Sequence, residues 1–172
     1  RSRRRFDRQR ERMLEVATPL INERGMKAVT LKEVANELGL TTTSVTYYFP
    51  RKELLAAAVF EAAMNRISAM VAEAATAASP PERVAHLIGQ NIDLRAAVIA
   101  GTALPIASLS DMRTLDEKLR LPLIKQYLAV FRRVRGLFGP PEGDVHKALL
   151  TARAHMLLEV IFWLPNWISQ YP

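Results

Sequence analysis

The sequence predicts an all-α protein, and three observations carry that prediction. Glycine is scarce, at seven of 172 residues. Alanine and leucine dominate a chain that is 49% hydrophobic. No stretch alternates apolar and polar residues over several positions, as a half-buried strand would. The length suits one or two small domains with a real core. Cysteine is absent, which excludes disulfides, thiolate metal sites and cysteine nucleophiles.

The elements read in order. Phe6 to Arg24 forms the first helix, with Met13, Leu14, Ala17, Leu20 and Ile21 recurring at steps of three and four. Gly25 suits the left-handed residue that ends it. Pro19 lacks an N–H and clashes with the preceding turn, so a kink or a restart is expected there. Thr30-Leu31-Lys32-Glu33 is a capping box that opens a second helix, Leu31 to Leu38. Gly39 breaks that helix, and Thr41 caps a third at Thr42 to Tyr48. Pro50 stands where a long fourth helix begins, Arg51 to Ala78. Ser79-Pro80-Pro81 is the clearest break, and a fifth helix covers Pro81 to Ala100. Helices are expected at Ile106 to Leu109, Asp116 to Phe138 and Asp144 to Leu164, the last stopping before Pro165.

Charge is unevenly placed. Residues 1–52 carry a net +6, and residues 53–172 carry +1. A localised positive field attracts a polyanion, most commonly nucleic acid. The sequence divides accordingly into a head, residues 1–52, and a helical remainder, residues 53–172. No uncharged apolar run reaches the ~20 residues of a spanning helix. The arginine-rich start lacks the apolar core of a signal peptide, so the cytoplasm is expected, with no membrane partner.

The informative stretch is Leu31 to Pro50. Two short helices crossing at a steep angle need a small residue at the crossing, a residue tolerant of positive φ in the turn, and apolar anchors on both helices. Ala35, Gly39, and Val34, Leu38, Leu40 and Val45 meet those demands in register, and Tyr48 adds a partly buried ring. The outer face of the third helix is left with Thr42, Thr43, Thr46 and Tyr47, all able to hydrogen-bond phosphates or base edges. An ordinary core hairpin would not combine so short a helix, so polar a face and a basic flank. The unit is therefore read as a DNA-binding helix-turn-helix.

These residues also carry a resemblance. Asn22-Glu23-Arg24-Gly25, Thr30-Leu31-Lys32-Glu33-Val34-Ala35, Leu38-Gly39-Leu40 and Val45 to Leu55 resemble the DNA-binding domain of the tetracycline-repressor (TetR) family of transcriptional regulators. The resemblance spans Arg12 to Glu61 and is only one of style beyond it. The family usually has Tyr where Thr46 stands and His where Tyr48 stands. The resemblance implies a homodimer on a palindromic operator, with half-sites about one helical turn or more apart. Thr42, Thr43, Thr46 and Tyr47 would read bases, with Tyr48 beside them, and Lys32 and Lys52 would hold phosphates. A flexible arm of Arg1, Arg3, Arg4 and Arg5 would enter the minor groove.

The resemblance further implies that the second half holds an effector pocket and the dimer interface. Asn91 (on a face with Leu87, Leu94 and Val98), Arg95 (with Ile88, Ile92 and Ile99), Tyr127, His155, Glu159 and Trp163 are the candidate effector residues, with Phe131, Met156, Phe162 and Trp167 as further pocket liners. Buried polar groups require partners, whether ligand, neighbouring subunit or each other. The last helix is apolar on nearly all sides, so Ala148 to Leu164 is expected to pack on a symmetry mate in a four-helix bundle. Family members carry a further helix where this chain stops at Tyr171-Pro172, so an interface element is expected to be missing. His86, His146 and His155 fall at no metal-ligand spacing, and no phosphate-cradling glycine loop or nucleophile motif occurs. The reading is a non-enzymatic, ligand-responsive regulator, most often a repressor, without a cofactor. The alternatives are a small-molecule-binding or catalytic helical protein with a vestigial DNA head, and an architectural DNA binder without ligand control.

Overall fold

The computed structural model describes residues 2–167, with side chains described for residues 3–162. The described chain is all-α, with no strand. Its helices are α1 (Ser2–Ala28), α2 (Leu31–Glu37), α3 (Thr42–Tyr48), α4 (Lys52–Ala74), α5 (Pro80–Ile99), α6 (Glu117–Leu137) and α7 (Asp144–Trp167), with a 3-10 turn at Ser110–Thr114.

Several local expectations are corrected. The chain stays helical through Pro19, and the only non-helical residue inside α1 is Gly25, at φ 75 and ψ 155. Thr18 Oγ1 donates to the Leu14 carbonyl at 2.7 Å, one turn back. Pro19 sits on the exposed side, where the carbonyl it leaves unpaired can meet water. The arm is not a loose extension either: Arg3, Arg4 and Arg5 lie in the first turns of α1. Arginine is a good helix former, and Arg3 and Asp7 stand four apart with opposite charge. Ile106 to Leu109 is not helical, and the helical turn comes later, at Ser110–Thr114. The helix expected to stop before Pro165 is assigned through Trp167.

The chain forms two compact units. The first joins residues 1–62 to residues 107–123, and the second joins residues 63–106 to residues 124–172. α4 and α6 each contribute to both.

The first unit closes over Met13, Ala17, Ile21, Val34, Ala35, Val45 and Phe60, all nearly or fully buried. The segment 107–123 is tied to the end of α1 by two long-range hydrogen bonds. The Ser108 N–H donates to Asn22 Oδ1 at 2.8 Å. The Met26 N–H donates to Asp111 Oδ2 at 2.6 Å. That second bond explains Gly25 beyond its positive φ, because a Cβ there would stand 3.0 Å from the same carboxylate oxygen. Replacing Asp111 by Ala leaves the Met26 N–H without its acceptor and should lower unfolding stability by about 1–3 kcal/mol. The urea midpoint of that variant is the check, and an unchanged midpoint would mean that water replaces the carboxylate freely.

The second unit packs α5 against α7 around Met64, Ile67, Leu87, Val134, Leu150 and Leu158. Ser79 caps α5, and Glu82 reaches back to the Ser79 N–H at 3.0 Å. α4 is long and apolar enough to cross a membrane by length and composition, yet half of that apolar window is buried within the fold. Leu55, Phe60, Met64 and Ile67 fill the core, so the apolarity of α4 serves packing.

Candidate nucleic-acid interface

The interface begins with the cap that fixes α2. The Thr30 N–H donates to Glu33 Oε2 at 2.8 Å, and the Glu33 N–H donates to Thr30 Oγ1 at 3.2 Å. Arg24 Nη1 holds the other carboxylate oxygen of Glu33 at 2.8 Å. These donors, those of Thr30 before that of Arg24, hold the Glu33 carboxyl below its ordinary value. A depressed carboxylate stabilises the fold above its unfolded pKa, and that support is lost as pH falls through the folded one.

Between α2 and α3 the chain turns in a few residues. Gly39 takes φ 65, where a side chain would be strained. The Leu40 N–H closes the corner on the Ala35 carbonyl at 2.8 Å. Thr41 caps α3 by accepting from the Ser44 N–H at 3.2 Å. One side chain of α3, Val45, is fully buried, and Phe49 anchors the residue after it. With one anchor inward, the remaining face must point out.

That face carries the expected side chains, though not all equally free. Thr42 and Thr43 are exposed, and the Tyr47 ring is 74% exposed. Thr46 is half-buried, and its hydroxyl donates back to the Thr43 carbonyl at 3.0 Å. Its proton is thus committed, while its oxygen can still accept. Tyr48 is half-buried, stacked on Phe6 at 4.6 Å between ring centroids. Tyr47 meets Tyr48 edge-on at 5.2 Å and Phe6 at 6.1 Å.

Phe6 is the residue the sequence reading passed over. An aromatic ring inside an arginine-rich segment is the signal that pointed to it. Through this stack α1 braces α3, and Arg10 of α1 lies over the Phe49 ring at 5.3 Å.

Arg3, Arg4, Arg5 and Lys32 are exposed. Lys52, the first residue of α4, donates from Nζ to the Lys27 carbonyl at 2.6 Å, which leaves two of its three protons for another acceptor. Arg51 lies 3.7 Å from Asp116.

The candidate effector residues of the second unit divide. Asn91 and Arg95 are buried together with Leu87 on one face of α5. Arg95 lies on the flank of α5 toward Ile88 and Ile99, yet it is buried while Ile88, Ile92 and Ile99 are exposed. His155 and Glu159 are exposed rather than interior, and the His155 ring packs against Phe131 at 4.3 Å. Tyr127 is half-buried, 6.4 Å from the Phe162 ring. The side chains of Trp163 and Trp167 lie outside the described residues. α7 is not covered on all sides in the single chain: Val145, Leu149, Met156 and Val160 are exposed. An open cleft of about 340 Å³ in the same unit is lined by Arg83, Arg132, Arg135 and Lys147 beside Gly139 and Pro140. No group of three or more metal-ligating side chains occurs among the described residues.

A capped helix, a glycine corner and a short outward-facing helix on a basic unit define a helix-turn-helix protein. Residues 13–59 match the family model of the bacterial regulatory proteins of the tetR family. The first unit carries a TetR-type DNA-binding domain, and the chain has the fold of the TetR-family transcriptional regulators. No curated protein sequence matches the chain. In fold it is similar to a TetR transcriptional regulator from Legionella pneumophila, at 21% identity and TM-score 0.72 over 94% of this chain and 87% of that one. It is also similar to AibR, solved in complex with isovaleryl coenzyme A and operator DNA, at 20% identity and TM-score 0.71 over 92% and 86%. The ketosteroid transcriptional regulator KstR2 of Mycobacterium tuberculosis aligns at 16% identity and TM-score 0.68 over 92% and 82%.

Proposed function

We propose that this protein is a ligand-responsive transcriptional repressor that binds a palindromic operator as a homodimer in the cytoplasm. The observation that carries the reading is the outward face of α3. Its polar and aromatic side chains project from a helix held by one buried valine, on a unit of strong positive charge. Bases are read through Thr42, Thr43, Thr46 and Tyr47, while Arg3, Arg4, Arg5, Lys32 and Lys52 bind phosphates. Because the arginines belong to a helix, they approach the backbone as a charged rod. Their contribution is affinity and salt sensitivity more than sequence choice.

The division of labour is between residues 1–52, which bind DNA, and residues 53–172, which bind effector and partner. The exposed apolar face of α7 supports a second copy as its cover. An effector acts by preferring a spacing of the two heads that the operator does not fit, so it lowers affinity by its differential affinity for the two states. Asn91, Arg95 and Tyr127 belong to the effector site. Bound AibR supports the pairing of DNA and small-molecule binding on this fold. No catalytic role is proposed, since no nucleophile-base motif is found in the second unit's sequence.

The test is selection of duplexes from a random pool, followed by footprinting and light-scattering mass with and without the selected duplex. An inverted repeat bound by two copies is the expected result. A pool enriched for no sequence would favour an architectural DNA binder instead. Within this reading, Lys52→Ala should weaken operator and random duplex by similar factors and make the slope of log affinity against log salt shallower by about one. An unchanged slope would restrict Lys52 to its tie with Lys27.

A further inference from the structure

α5 buries two polar side chains on its inward face, beside Leu87 and the half-buried Leu94 and Val98. Leu87, Asn91 and Arg95 recur every four residues and are all buried, whereas Ile88, Ile92 and Ile99 stand exposed. Apolar surface ordinarily turns inward and a guanidinium outward. A fold that reverses this at two polar positions leaves donors that must be matched. They are not matched within the chain. Arg95 is 5% exposed and Asn91 is 3% exposed. Arg95 Nε and Nη2, and Asn91 Nδ2, donate to nothing among the described residues.

A second cation stands close enough to act on the first. Arg66 of α4 donates from Nη1 to the Leu104 carbonyl at 2.6 Å. Burial, and after it the charge of Arg66, push the Arg95 guanidinium below its ordinary value. Arginine nevertheless stays charged at neutral pH. Neither arginine forms an ion pair with a carboxylate among the described residues. A buried guanidinium and a buried amide donor thus lie near a second, half-buried guanidinium, and no carboxylate among the described residues pairs with either arginine.

We propose that Asn91, Arg95 and Arg66 form an internal anion site, and that the effector is a small organic carboxylate. This rests on the reading of the second unit as the effector-binding half. A guanidinium presents paired N–H donors in the spacing of two carboxylate oxygens, and such charge-assisted bonds are the strong ones. Asn91 adds a third donor one helical turn away. Leu87 continues the same buried face, so a hydrocarbon tail finds apolar contact beside the charged head.

The experiment is thermal unfolding of the full chain without DNA, at fixed ionic strength. The probes are acetate, isovalerate and benzoate, each beside its uncharged amide, with inorganic phosphate as a further arm. A carboxylate at 100 times its dissociation constant should raise Tm by roughly 5–10 °C, and its amide should not. Arg95→Met should abolish that rise while leaving the unliganded Tm unchanged or higher by about 2–4 °C, since removing an unpaired buried charge relieves a cost. Arg95→Lys keeps the charge without the paired donors and should weaken the apparent affinity about tenfold, which remains readable if the Met variant fails to fold. Equal protection by acid and amide, protection by phosphate alone, no protection by any carboxylate, or an acid response that survives Arg95→Met would each overturn the proposal. Carboxylate protection with no effect on operator binding would leave the anion site standing and remove ligand control from the function. Operator binding without carboxylate protection would do the reverse.

Discussion

Tyr47→Ala should reduce operator affinity by about 10- to 100-fold while changing affinity for random duplex little. A side chain that contacts a base is worth about 1–3 kcal/mol of discrimination, and Tyr47 is the most exposed large side chain of α3. The ring is mostly exposed and fills no core position, and its edge-on contacts to Phe6 and Tyr48 leave the Phe6–Tyr48 stack in place when it is removed. Competition of labelled operator by unlabelled operator and by random duplex separates the two affinities. Equal losses on both would mean that Tyr47 touches the backbone and reads nothing. Tyr47→Phe separates the parts further: if the hydroxyl carries the contact it behaves as the alanine variant, and if the ring packs on a thymine methyl it behaves as the parent.

Val45→Asp should abolish operator binding and leave the second unit folded. Val45 is fully buried, and it is the one buried residue of α3. A carboxylate placed there has no cation or donor arranged for it, and an uncompensated buried charge costs about 3–5 kcal/mol. A seven-residue helix has little stability of its own, so it detaches rather than shifts. Amide hydrogen exchange should show lost protection through α2 and α3 with α5 and α7 unchanged. Retained protection in α3 would mean that the helix is held by the Phe6–Tyr48 stack instead of by its core anchor.

Much of the DNA-binding unit is legible in the sequence because its determinants are local. A capping box spans four residues, a left-handed corner needs one glycine, and an N-cap needs one hydroxyl. Thr30, Glu33, Gly39 and Thr41 therefore announce the ends of α2 and α3 without reference to the rest of the chain. The exposure of Thr42, Thr43 and Tyr47 follows from the same register, since placing Val45 inward fixes which residues point out.

What the sequence could not supply lies wherever two distant segments decide the outcome. The inward side of α5 carries Leu87, Leu94 and Val98 as their spacing predicts, but that Asn91 and Arg95 are buried along with them depends on the neighbouring helices. The same holds for His155 and Glu159, which stand on a face of α7 that nothing in the single chain covers. Phe6 stacks on Tyr48 and so ties the arginine-bearing start of α1 to α3, and a charge count has no access to that contact. Residues 107–123 join the first unit through Asn22 and Asp111, hydrogen bonds that reach across 86 and 85 positions. The caps and corners of α2 and α3 were thus determined by the sequence alone, because each is set within one turn of backbone, whereas the helix expected at Ile106 to Leu109 was not. Which faces are buried, and which polar groups lose their water, was decided only by tertiary structure, because burial is a property of the neighbours and not of the residue.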